Sequence, residues 1–65
     1  MYPQKIKKLR EKMIMSQEEL ATLLGTNKVT ISRWENGKFE PTYKYKKLLN
    51  ELFIKHGISG DQYGI

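Results

Sequence analysis

The 65-residue sequence predicts an all-α fold, a small bundle of helices around one core, and three observations carry that prediction. Apolar residues recur at three- and four-residue steps, and no stretch alternates strictly as a half-buried strand does. The periodic stretches are bounded by residues that start or stop helices. The length suffices for one core only, since a domain of this size buries roughly 60% of its unfolded surface and has little room for a deep enzyme cleft. Residues 1–65 are therefore expected as a single domain.

The first helix is predicted near residues 3–13. Pro3 suits a first helical position, and Ile6, Leu9 and Met13 form a stripe that leaves Lys7, Lys8 and Lys12 outward. The second, near 17–24, is the best bounded. Ser16 and Glu19 have capping-box spacing, Met15 and Leu20 sit at the staple positions, and Leu20, Ala21 and Leu24 make the buried stripe. Gly25 stops it. After Gly25, Thr26 and Asn27, the asparagine can cap a third helix near 28–36, which Gly37 ends and Pro41 keeps from resuming. The fourth, near 42–56, carries Tyr45, Leu48, Leu49, Leu52 and Phe53 at the spacing of one apolar face and ends at Gly57. The tail 57–65 has three glycines in nine residues and little periodicity.

Composition narrows the function classes. With 38% hydrophobic and 29% charged residues the chain is globular, and no apolar run approaches the roughly 20 residues a bilayer requires. There is no cysteine, hence no disulfide framework or thiolate metal site, and the start MYPQKIKKLR lacks the apolar run of a secretory signal. A reducing, cytoplasmic setting is expected. His56 has no cysteine or carboxylate cluster beside it in sequence, so no metal site is expected, and as a charge near a helix C-terminus it is sufficiently explained. Glu18 and Glu19 point different ways on their helix, and with no thiol or phosphate-transfer motif the chain does not read as an enzyme. The net charge is +5, unevenly spread. Residues 1–15 hold five cations against Glu11, 16–27 only Glu18 and Glu19, and 28–38 three cations against Glu35. Positive segments flanking an acidic helix suit a polyanionic partner.

Two helices of about eight residues, joined by a three-residue turn containing glycine, form a helix-turn-helix arrangement. In the third helix Thr30, Ile31, Trp34 and Glu35 fall on one side, and Lys28, Val29, Ser32, Arg33 and Asn36 on the other. Ile31 and Trp34 make the inner side apolar, so Trp34 is expected in the core rather than as a base-stacking platform. The outer side has what base edges require: Arg33 can present a two-pronged donor to guanine, Lys28 can donate to guanine or phosphate, Ser32 suits several bases and Val29 a thymine methyl. By spacing alone the same residues fit a solvated helix face equally well.

The run SQEELATLLGTNKVTISRWENGKFEP, Ser16 to Pro41, resembles the helix-turn-helix domain of the phage repressor, Cro and Xre family of bacterial DNA-binding proteins. The match rests on Ser16, Gln17, Leu20, Ala21, Gly25, Thr30, Ile31, Trp34, Glu35, Asn36 and Gly37, and extends back to Ile6, Leu9 and Arg10 and forward to about Ile58. The resemblance implies a compact lambda-repressor-like bundle of four or five helices with no cofactor, which binds operator-like sites on double-stranded DNA and usually regulates transcription; no small-molecule substrate is expected, and no membrane partner either, since the core claims the apolar face of the first helix. It implies that Gln17 holds a phosphate through its backbone amide and side chain, and that Asn36, Gly37 and Lys38 form a second phosphate clamp leaning on backbone amides. Lys28, Val29, Ser32 and Arg33 take the variable base-reading positions, and Arg10 with Glu35 a partly buried structural ion pair.

The sequence departs from the family in two places. Ile14 stands where relatives often carry glycine, and a β-branched residue resists positive φ, so the first helix is expected to end by a different turn. The tail is a poor fifth helix. Either it makes a short turn with Ile58, Tyr63 and Ile65 packing loosely, or the homodimer forms differently, or the protein stays monomeric until DNA brings two copies together. A DNA-binding antitoxin or a bridging protein-interaction module on the same fold is the alternative function. Its mark would be an exposed apolar patch away from the third helix, for which Tyr63 and Ile65 are the candidates. Tyr43 lies off the main apolar face, against the Pro41 turn or toward a phosphate.

Overall fold

A computed structural model of the chain describes residues 2–58. The described residues form helices α1 (Tyr2–Met13), α2 (Gln17–Leu24), α3 (Lys28–Glu35) and α4 (Tyr43–Lys55), with no strand among them. Each lies within a residue of its expected span. Pro3 is the second helical residue rather than the first, a position that likewise needs no intrahelical N–H bond. Most of the tail, residues 59–65 with Tyr63 and Ile65, lies outside the described residues.

The core takes Ile6 and Leu9 from α1, Leu20, Ala21 and Leu24 from α2, Ile31 and Trp34 from α3, and Leu49 and Phe53 from α4. Helix α3 packs against both α2 and α1, while α4 packs mainly on α1. Trp34 meets Tyr45 of α4 with ring centroids 5.3 Å apart, and Tyr2 meets Phe53 at 6.3 Å. Leu48, expected on the apolar face of α4, is exposed instead. Covered chiefly from one side, α4 needs only the stripe through Leu49 and Phe53, with Tyr45 and Leu52 at its edge.

Capping follows local chemistry. Ser16 Oγ accepts from Glu19 N at 3.0 Å and the Glu19 carboxylate accepts from Ser16 N at 2.8 Å, the complete capping box. Asn27 Oδ1 accepts from the backbone N–H of Thr30 at 2.9 Å and from its hydroxyl at 3.1 Å.

All four described helices close through the same paired carbonyl bonds, and this corrects the expectation for Ile14. At the end of α1, Met15 N donates to Arg10 O at 2.9 Å and Ile14 N to Glu11 O at 3.2 Å, the pattern made after α3 by Lys38 and Gly37. The closure requires a left-handed residue, and Ile14 adopts it with φ +55°. The turn is thus the left-handed closure that glycine usually makes, formed here with an isoleucine. Its two bonds, and a third from Arg10 Nη1 to Met15 O at 3.2 Å, hold the backbone against the steric preference of a β-branched side chain that is itself 88% exposed.

Candidate nucleic-acid interface

The outer face of α3 is set by what its inner face buries. Ile31, Trp34 and Glu35 are buried, so Val29, Arg33 and Asn36 stand exposed on the opposite side, Lys28 is exposed at the helix start and Ser32 is half-buried on the flank. Helix rotation thereby brings Lys28, Val29, Ser32 and Arg33 onto one outer surface about 8 Å long. Asn36 closes it, its Nδ2 lying 3.4 Å from Ser32 Oγ as donor.

Glu35 is buried at 4% exposure because its carboxylate is surrounded by donors. Arg10 approaches with two prongs, Nε to Oε2 at 2.5 Å and Nη2 to Oε1 at 3.0 Å, and Gln17 Nε2 donates to the same Oε1 at 3.0 Å. Burial pushes the Glu35 carboxyl up, but the hydrogen bonds from Arg10 and Gln17 and the charges of Arg10 and Lys7 outweigh it and hold the group below the usual carboxylate range. The bond to Glu35 in turn raises Arg10. One buried carboxylate thus ties together α1, the start of α2 and the end of α3.

The two expected phosphate anchors differ in character. At Gln17 the backbone amide precedes the first intrahelical bond of α2, which runs from Leu20 N to Ser16 O, so it faces away from the helix as an anion donor does. Its side chain, expected to share that role, is engaged with Glu35. At the end of α3 the expectation of backbone donors is corrected: the amides of Asn36, Gly37 and Lys38 already donate to Ser32, Trp34 and Arg33 carbonyls at 2.9, 3.2 and 2.9 Å. What this segment offers an anion is the exposed side chains of Asn36 and Lys38. Gly37 has φ +76°, and a Cβ there would meet only Pro3 Cγ at 3.8 Å, so its role is to turn the chain rather than to make space.

Phe39 escaped the sequence reading. Phe39 is 59% exposed, and the Arg33 guanidinium lies over its ring, 5.4 Å from the centroid. An aromatic six residues beyond an arginine carries no periodic signal, because the contact depends on the Gly37 turn. Several apolar side chains away from α3 are exposed as well, among them Ile14, Leu23, Tyr43 and Ile54. Among the described residues no group of His, Asp or Glu is placed to hold a metal ion, and no helix is long and apolar enough to cross a membrane.

Residues 6–57 match the family model described as helix-turn-helix. The chain belongs to the Cro and phage-repressor type of helix-turn-helix family. No curated protein and no solved structure matches it. The helix-turn-helix match runs from Ile6 of the first core stripe to Gly57 at the end of α4, so it takes in every buried residue of the hydrophobic core. It makes the chain a DNA-binding helix-turn-helix domain, of a family that is generally not enzymatic.

Proposed function

We propose that this helix-turn-helix protein is a sequence-specific regulator of transcription that lays α3 in the major groove of double-stranded DNA. The observation that carries the reading is the division of α3 between a face locked into the core by Ile31, Trp34 and Glu35 and an exposed polar face beginning at Lys28. Lys28, Val29, Ser32 and Arg33 read base edges, with Arg33 as the two-pronged donor to guanine. The Gln17 backbone amide at the start of α2, with the side chains of Asn36 and Lys38 past α3, grips phosphates and sets the register. A primary amide has two N–H groups, so Gln17 can keep one on Glu35 and turn the other to a phosphate.

Affinity then comes from phosphate neutralisation and specificity from α3. Two copies bind a palindrome with half-site centres about 34 Å apart, one turn of DNA. Selection of bound sequences from random duplex DNA tests this. A palindromic consensus with guanine at the positions that Arg33→Ala relaxes supports the reading, and recovery of unrelated sequences refutes it.

A further inference from the structure

The two arginines of this chain are used differently. Arg10 is committed to Glu35, whereas Arg33, on the outer face of α3, rests on Phe39. The pair lines a groove of about 300 Å³ between α3, the following turn and Tyr45 at the start of α4. Glu40 lines the same groove, and its carboxylate is paired with Lys46 Nζ at 3.3 Å. We propose that Phe39 is a specificity-determining positioning residue: its ring, with its centroid 5.4 Å from the Arg33 guanidinium carbon, holds the guanidinium from one side and leaves N–H donors free to face guanine. The proposal rests on the base-reading role of Arg33 given above.

The physical argument has three steps. An exposed arginine samples many rotamers, and immobilising it on a base pair loses that freedom. A guanidinium stacked on an aromatic ring has surrendered part of the freedom already, while its donors, which lie in its own plane, remain at the rim. The backbone leading into Phe39 is held by the turn through Gly37, where Gly37 N donates to Trp34 O and Lys38 N to Arg33 O, so the residue is tied to the last turn of α3. Phe39 therefore moves with the helix it serves. Being largely exposed, it can be replaced without opening the core.

The test is a double-mutant cycle on the full chain, using the selected duplex and a scrambled one. Phe39→Ala and Phe39→Leu are expected to weaken binding to the selected duplex about fivefold and to leave the scrambled duplex unchanged, with Phe39→Trp restoring the loss. In an Arg33→Ala background the effect of Phe39→Ala should vanish. Proton NMR of the free protein gives a readout independent of DNA: the Arg33 δ-methylene protons should be shifted upfield by the ring current, and Phe39→Leu should abolish the shift. An unshifted methylene, an equal loss on both duplexes, or a Phe39→Ala effect that persists without Arg33 overturns the proposal. A shifted methylene together with an Arg33→Ala protein that binds the selected duplex normally also overturns it, and locates the failure in the base-reading role of Arg33 rather than in the stack.

Discussion

Gln17 Nε2 and Glu35 Oε1 lie 3.0 Å apart, joining the first residue of α2 to the last of α3. The angle between the two helices of the motif, which decides whether the proposed base-reading face and the proposed Gln17 anchor can reach one duplex together, is thus pinned at both ends: by the short turn at Gly25 and by this bond. Arg10 shares the same oxygen and braces the pair from α1.

Removing one charge of that brace should cost more than removing both. Arg10→Met leaves a buried carboxylate with Gln17 as its remaining neutral donor, and a loss of about 3 kcal/mol is expected. Adding Glu35→Leu should recover part of it, since no stranded charge remains. Urea denaturation of the single and double variants measures the difference, and additive losses would show that the pair is not coupled.

Acid should expose the same carboxylate. The Glu35 carboxyl is held below its ordinary value in the folded protein, so as pH falls through and below about 4.3 the unfolded chain takes up the proton first. The stability this group supplies is whole above that pH and is lost below it. Glu35→Gln should be less stable near neutrality yet decline less steeply between pH 5 and pH 3, as thermal melts across that range would register.

Ile14→Gly should stabilise the protein. It relieves a left-handed β-branched residue whose side chain is almost fully exposed, and the relief outweighs the greater freedom of an unfolded glycine by about 0.5 to 1 kcal/mol. For a domain of this size the melting temperature should rise by about 4 °C. A lower melting temperature would mean that the Ile14 side chain contributes more than its exposure indicates.

Arg33→Ala and Lys38→Ala should separate reading from gripping. The first should cost about 1 to 3 kcal/mol on the selected duplex and little on random DNA, while the second should weaken both alike and lower the salt slope by about one. Binding titrations at several salt concentrations distinguish the two patterns.

Trp34→Ala should unfold the domain rather than impair DNA binding selectively. The side chain is buried against Tyr45, and truncations of this kind cost about 3 to 5 kcal/mol, comparable to the whole stability of a small domain. Circular dichroism of the variant decides it.

Helix limits, the Ser16–Glu19 box, the Asn27 cap and the division of α3 into inner and outer faces were all legible in the sequence. Each depends on residues within about one turn of one another, where spacing alone dictates who meets whom. Leu48 was misjudged because a periodic pattern cannot say how much of an apolar stripe a neighbouring helix will cover. The backbone donors of the second anchor were misjudged because the closure of α3 had already engaged them.

Local chemistry along the chain therefore determined the four helices, their stripes and the surface α3 turns outward. Only the tertiary structure decided that Gln17 and Arg10 converge on Glu35 from 18 and 25 residues away, that Ile14 takes a glycine's conformation, and that Arg33 settles on Phe39. The reason is common to all three. Such contacts are settled by how helices pack and how turns close, and there the combined strength of many bonds overrides the preference of any single residue.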